Sequence, residues 1–363
     1  MRQDSCEEGN GIFMFSAQAL HAMPKIDLHR HLEGSLRLET LSEMARTHGI
    51  NVGNLPTKNT DMLRPHVQII DDPQDHEVFL AKFGVLRHFY HSPEAVARLT
   101  YEAIVDAAAD NVRYLELRFS PQALSRVQGF CLAEVTDWVI EATQQARRVC
   151  QIDVGLIVTL LRHESLDLAE QVARVAFDRA EKGIVGLDLA GDEVKFNAFP
   201  FRDLFQEAAR RGLGVTIHAG EWTNAASVRV AVEELGAVRI GHGVRVIDDP
   251  EVMELVRQEA VALELCLTSN VQTGAVPYMA SHPARQLLHQ GVAVTLNTDD
   301  PCVSNCTLTD EYVAAVQQLG FDSSDLEQVS RHAARAAFLP MAQRLALEAQ
   351  ILNGLPSPDL EPA

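Results

Sequence analysis

The chain has no run of about 20 apolar residues, the length a bilayer-crossing helix needs, so no membrane span is expected. It also lacks positive charge: 31 lysines and arginines face 50 aspartates and glutamates, a formal net charge of −19. Nucleic-acid binding requires a cationic footprint, so neither nucleic acid nor an anionic membrane surface is an expected partner. The six cysteines, Cys6, Cys131, Cys150, Cys266, Cys302 and Cys306, are few and irregularly spaced. That usage fits reduced cytoplasmic thiols rather than a disulfide frame. PCVSNC is a CxxxC without a second half, which argues against a zinc knuckle. A secretion signal wants a positive first segment, but Arg2 is followed by Asp4, Glu7 and Glu8. Residues 1–21 therefore read as a loosely held tail. No proline- or serine-rich linker interrupts the chain. One folded unit is expected over residues 22–345, with 346–363 finishing a last helix and a tail.

What is present is an alternation. From residue 112 onward an apolar strand, a polar loop, an amphipathic helix and a glycine recur. The strand candidates are VRYLELRF, DVGLIVTLL, IVGLDLA, GVTIHA, VRIGH, VALELCL and GVAVTLN, and KIDLH near the start makes eight. Helical patterns such as ESLDLAEQVARVAFDRAEKG and ASVRVAVEELG lie between them, closed by Gly183 and Gly236. Such alternation predicts a parallel sheet with helical crossovers. Eight strands over 363 residues suit a closed (β/α)8 TIM barrel of α/β class with extensions. An open doubly wound sheet is the alternative, but no GxGxxG follows the first strand. The first connection, roughly residues 32 to 111, is a long helical insertion. It carries helical patterns in LETLSEMARTHG, HEVFLAKFGVLRHF and PEAVARLTYEAIVDAAAD. In a barrel it would lie at the carboxyl ends of the strands, where active sites sit, and could act as a lid.

The polar residues at those strand ends form a pattern. The first strand supplies His29 and His31, which as i and i+2 point to one face. The fourth supplies Asp188, the fifth His218 and Glu221, the sixth His242. The seventh supplies Ser269 and Asn270, the eighth Asp299 and Asp300. Singly, each has a plain structural reading: a core histidine, a tight turn, an Asx turn before Pro301, a strand acid satisfied by amides. Jointly these readings weaken, because a parallel barrel gathers all eight carboxyl ends on one rim. The opposite ends (Lys25, Asn111, Gly214, Arg239) show no such cluster. Imidazole and carboxylate ligands without thiolate point to zinc or a similar divalent ion. His29, His31, His218 and Asp299 make a mononuclear set with a position left for water. A bound metal lowers the pKa of water from about 15.7 to about 7. Glu221 is suited to donate a proton to a substrate, and His242 or Asp299 to orient and deprotonate the water. A bridged two-metal hydrolase usually needs a lysine or carboxylate at the fourth strand end. LDLAGD has no lysine there, although Asp188 leaves a second ion open. A non-catalytic binding relative is disfavoured by the joint presence of Glu221, His242 and Asp299.

The segments PKIDLHRHLEGS, VRYLELRFSP, GLDLAGDE, TIHAGE, RIGHGV, LCLTSN and LNTDDP resemble, in order, the signature segments of the adenosine deaminases. The resemblance covers about residues 22 to 345. It implies a one-zinc barrel enzyme that hydrolyses the 6-amino group of a small-molecule aminopurine to the 6-oxo product and ammonia. By motif, it implies that His29, His31, His218 and Asp299 ligate zinc, and that Glu221 protonates N1. It further implies that His242 holds and deprotonates the water, that Asp300 hydrogen-bonds N7, and that the Gly191 backbone N–H donates to N3. The HxE with PCxxC of the cytidine deaminases is absent. One position departs: where adenosine deaminases carry Asp to meet the ribose, this chain has Glu33. HLEG is similar instead to adenine and aminodeoxyfutalosine deaminases, whereas HVQII, ELRFSPQAL and CLTSNVQTGAV are nearer to bacterial adenosine deaminases. Adenosine is the expected substrate, with adenine or aminodeoxyfutalosine as the alternatives. A nucleotide is disfavoured, since no cationic cluster for a phosphate is evident near the rim.

Overall fold

The eight apolar segments form eight parallel strands whose order in the sheet is their order in the chain. They are β1 (Lys25–His31), β2 (Val112–Phe119), β3 (Asp153–Leu161), β4 (Ile184–Ala190), β5 (Gly214–Ala219), β6 (Arg239–His242), β7 (Ala262–Leu265) and β8 (Ala293–Leu296). The protein is described by a computed structural model over residues 15–355; Cys6 and the outer parts of both tails lie outside the described residues. The strands are buried along almost their whole length, as expected where helices cover one face and the barrel interior the other. The ring closes by a short seam. Asp299 N–H donates to His29 O at 2.8 Å, and His31 N–H donates to Asp299 O at 2.8 Å. The architecture is the (β/α)8 barrel, and its closing seam runs through three of the expected ligands.

The insertion between β1 and β2 holds the three expected helices, Leu38–His48, His76–Leu86 and Pro93–Ala109. A fourth, Thr60–Val67, was not anticipated because Pro65 lies inside it; a proline removes one backbone donor, and the helix ends two residues later. Helix His76–Leu86 starts on Asp75, whose carboxylate accepts from the Glu77 and Val78 amides at 2.7 and 3.2 Å. Its Phe79, Leu80 and Phe83 form one wall of the cavity at the barrel mouth. The pattern over residues 164–183 divides into an α-helix, Leu166–Phe177, and a 3-10 turn, Ala180–Lys182, closed by Gly183 at φ +112°.

Both expected tails contribute packed helices. Ala17–Ala22 buries Leu20 completely, and its end is held by Lys25, whose Nζ donates to Leu20 O and Met23 O at 3.0 and 2.9 Å. At the other end the last helix runs over Met341–Asn353 and buries Leu347 and Ile351 against Ile26 and Leu28. Glu348 ties it to Arg331 and Arg335 at 2.6 and 2.9 Å.

The barrel interior carries charge. Glu264 on β7 accepts from Arg239 Nε at 2.5 Å and from Arg118 Nη2 at 2.8 Å, and Arg239 also pairs with Glu116. All four side chains are buried. Arg239, the first residue of β6, thus brings charge to the amino end, with its guanidinium 3.6 Å from the centre of the Phe338 ring. That ring seals the amino end against Gly214, where a Cβ would overlap it. Deleting one member of such a lattice leaves a buried charge unpaired, at a cost of about 3–5 kcal/mol.

Candidate active site

Two strand ends and the closing seam aim nitrogen and oxygen lone pairs at one point. On β1 the register slips between Asp27 and Arg30, next to the two histidines. His29 Nδ1 lies 2.8 Å from Glu264 Oε2, and His218 Nδ1 lies 3.0 Å from Asp188 Oδ1. Despite burial, the Asp188 carboxyl is held well below the usual carboxylate range by His218 and Arg118; Glu264 is held low by Arg118 and Arg239. An anionic partner takes the N–H of each ring, so both rings present their Nε2 lone pairs forward. His29 Nε2 is buried, has no hydrogen-bond partner, and lies 3.3 Å from Asp299 Oδ1. His31 Nε2 lies 3.4 Å from Asp299 Oδ1 and 3.2 Å from His218 Nε2. Lone pairs facing at such distances are repulsive unless a cation stands among them. Three imidazole nitrogens and a carboxylate suit a divalent first-row ion. His242 also comes close: ligand atoms of His29, His218, His242 and Asp299 lie within 4.8 Å of one another, as do those of His31, Asp188 and His218. Burial and the neighbouring imidazoles push His31, His218 and His242 below the usual histidine range, which keeps the rings neutral and able to bind.

Asp299 and His242 adopt φ +62° and +64°, values rare for residues with a side chain. Such backbone costs of order 1–3 kcal/mol and persists where its surroundings impose it. Ser269 Oγ donates to Asp299 Oδ2 at 2.6 Å. The adjacent Asp300 behaves oppositely to Asp299. Burial, Asp299 and Glu33 push its carboxyl well above the usual range, which favours the protonated form, and its Oδ1 has no partner. Gly34 is required beside it, because a Cβ there would overlap the Asp300 carboxyl. Glu221 is likewise pushed well up, first by burial and then by Asp299 and Glu193. Thr273 Oγ1 and Asn270 Nδ2 donate to its Oε1 at 3.3 and 3.4 Å.

These groups line a cavity of about 390 Å³ that includes His31, Glu33, Gly191, His218, Glu221, His242, Asp299 and Asp300. Of the strand-end residues singled out in the sequence, His29, Asp188, Ser269 and Asn270 are absent from that wall and lie buried behind it. Glu33 accepts from Ser120 N–H at 2.7 Å through Oε1; its Oε2 is buried without a partner, and burial pushes the carboxyl up to about 7. Gly191 takes φ +103°. The cavity's size is that of a small-ligand pocket, and the insertion helix supplies its apolar side through Phe79 and Phe83.

Several supporting residues were not found by sequence reasoning. Glu264, Glu116 and Arg118 had a signal that went unused: charged residues inside otherwise apolar parallel strands must be paired. Glu193 had none. It follows β4 and accepts backbone N–H groups from four consecutive residues, Gly220 (3.1 Å), Glu221 (2.7 Å), Trp222 (2.5 Å) and Thr223 (3.0 Å). Arg162, from the end of β3, donates to the carbonyl of His218. Two buried side chains of opposite charge thus hold the segment that carries both His218 and Glu221.

A (β/α)8 barrel with a buried three-histidine, one-aspartate cluster open to a pocket defines a metal-dependent hydrolase. Residues 24–353 match the family model described as adenosine deaminase. The chain is 38% identical over 333 residues to adenosine deaminase of Klebsiella pneumoniae, covering 92% of this chain and 99% of that one. It is 37% identical over 327 residues to adenosine deaminase of Pseudoalteromonas translucida, covering 90% and 96%. Among solved structures, adenine deaminase of Arthrobacter aurescens superposes with a TM-score of 0.83 at 28% identity, covering 91% and 98%. The chain is an enzyme of the adenosine deaminase family. Among the described residues no helix is long and apolar enough to cross a membrane. Cys131, Cys150, Cys266, Cys302 and Cys306 are free thiols.

Proposed function

We propose that the protein hydrolyses the 6-amino group of adenosine or deoxyadenosine, giving inosine or deoxyinosine and ammonia, as a cytoplasmic enzyme with one zinc ion per chain. The carrying observation is that a convergent lone-pair cluster shares a pocket with two buried carboxyl groups, Glu221 and Asp300, whose surroundings favour the protonated form. N1, N3 and N7 of an aminopurine are all acceptors, so they need donors, and a carboxyl group donates only when protonated. His29, His31, His218 and Asp299 would hold the zinc, with Glu264 and Asp188 orienting two of the rings. When bound, the ion supplies an acidified water, with a pKa of about 7 in place of about 15.7.

The chain's own groups then do the following. Asp300 donates to N7 and the Gly191 N–H to N3, which presents C6 to the cluster. Glu221 gives its proton to N1 as the water oxygen bonds to C6, so the electron pair displaced from the C6–N1 bond is not left as a ring anion. Asp299 and His242 flank the water, one holding it and the other taking its proton. That proton leaves with the 6-amino group as ammonia when the C6–N bond breaks, and the hydroxyl proton left on C6 returns to Glu221 as the 6-oxo group forms, restoring the acid. Phe79 and Phe83 exclude bulk water from the purine.

A second reading, adenine as substrate, is favoured by Glu33. It is one methylene longer than Asp, and its Oε2 has no protein partner, so it could reach the base directly where no sugar intervenes. The fold neighbour from Arthrobacter aurescens is named an adenine deaminase. The test is a panel of adenosine, deoxyadenosine, adenine, AMP and aminodeoxyfutalosine, read by the ultraviolet change from aminopurine to oxopurine. Metal is counted in parallel by plasma mass spectrometry. Adenosine should lead, with about one zinc per chain. Preference for adenine transfers the case to the second reading, and no turnover of any member refutes both. Glu221→Gln should keep zinc and lose most turnover, whereas His218→Ala should lose both.

A further inference from the structure

Behind His242 lies a chain of buried hydrogen bonds that the reaction itself does not use. It begins at Ala284, whose backbone N–H donates to His282 Nδ1 at 3.2 Å. A neutral imidazole that accepts at Nδ1 carries its proton on Nε2. His282 is neutral: burial, with no countercharge, pushes it down to about 3. Its Nε2 lies 3.2 Å from Asn270 Oδ1, so Nε2–H donates to the amide oxygen. The opposite amide orientation would set an NH2 group against that N–H, donor against donor. The orientation of Asn270 is therefore determined by a histidine on the far side of it. Its Nδ2 then faces two residues of the pocket wall, 3.0 Å from His242 Nδ1 and 3.4 Å from Glu221 Oε1. An amide NH2 only donates, so His242 Nδ1 must accept, and the ring's proton sits on Nε2. That atom lies 3.4 Å from Glu221 Oε2.

We infer that His282 is a positioning residue which, through Asn270, fixes the proton of His242 on Nε2 and makes that ring a donor toward the pocket. The inference rests on the catalytic placement of His242 proposed above. With a proton already on Nε2, His242 holds the water by donating to its oxygen, and the proton of the water goes to Asp299. His282 is 5% exposed and Asn270 fully buried, so no solvent molecule substitutes for either link.

The test uses the zinc-loaded enzyme labelled with ¹⁵N-histidine, the His242 signals being assigned by their loss in His242→Gln. The wild type should show an unprotonated Nδ1 and a protonated Nε2 on that ring. Glutamine can place an amide nitrogen where His282 Nε2 sits; asparagine is too short. His282→Gln should therefore keep kcat within about 3-fold, while His282→Asn and His282→Leu lower it about 10²-fold, KM changing by less than about 3-fold. In the latter two the His242 proton should move to Nδ1, with zinc unchanged at about one per chain. A wild-type ring protonated at Nδ1 overturns the inference, and so does an equal kcat in His282→Gln and His282→Asn. The wild-type spectrum decides even if a variant fails to fold. Normal deamination with the wrong tautomer refutes this inference alone, whereas absence of deamination refutes the proposed function.

Discussion

Glu193→Gln isolates the clamp on the segment that carries Glu221. The carboxylate serves three amides through Oε1, those of Glu221, Trp222 and Thr223, and meets Gly220 N–H and Ser227 Oγ through Oε2. Glutamine keeps an oxygen for the first three, but the bonds fall from charge-assisted to neutral strength. A loss of roughly 0.5–1 kcal/mol per bond gives about 1.5–3 kcal/mol over the three. Gly220 N–H is spared, because Ser227 Oγ also accepts from it at 2.7 Å. If the whole loss falls on the geometry of Glu221 in the transition state, kcat drops roughly 10- to 150-fold at about 1.4 kcal/mol per decade. Zinc content should stay constant and KM should move little, since the ligands and the purine contacts other than Glu221 lie outside the clamp. The assay is a double-mutant cycle with Glu221→Gln, read as kcat on adenosine. Acting through Glu221, the Glu193 substitution should cost little more once that proton donor is gone. An equal fold-loss in both backgrounds, or a wild-type kcat in Glu193→Gln, would refute the positioning argument.

Glu264→Gln removes the anion that holds His29 Nδ1 at 2.8 Å and should weaken zinc binding about 10- to 100-fold. Chelator competition measures it, and unchanged affinity would show that His29 needs no such orientation. Glu311 accepts from the Leu267 and Thr268 amides, and burial pushes its carboxyl from 4.5 up to about 7. The folded state thus holds this proton more tightly than the unfolded chain. The contribution to stability is full below about pH 4.5 and is lost as pH rises through about 7. Glu311→Gln should therefore flatten the decline of Tm between about pH 5 and 8, and parallel Tm curves for the two proteins would contradict the assignment.

Much of the fold was legible because β-strands and helices leave different periods in the sequence. Eight apolar runs separated by amphipathic patterns could be assigned one by one, and Gly183 and Gly236 marked where helices close. Thr60–Val67 escaped because local propensity counts Pro65 against a helix, while burial of Leu63 and Val67 outweighs it. Helix Ala17–Ala22 escaped because it is short and is held by burial of Leu20 and packing against the helix Leu308–Leu319, far away in sequence.

By itself the sequence determined the chemistry available: which strand ends carry imidazole and carboxylate. These are properties of residue type and spacing, and they survive without coordinates. Only the tertiary structure decided the state of each group. Glu221 and Asp300 are pushed toward the protonated form and Asp299 toward the carboxylate because burial and neighbouring charge act differently on chemically similar side chains. Asn270 stands out in sequence only as a strand-end residue and His282, 12 positions on, not at all, yet folding joins them into a relay that sets a proton on His242. Protonation and tautomer depend on distances of a few ångströms between side chains, and a linear pattern does not contain those distances.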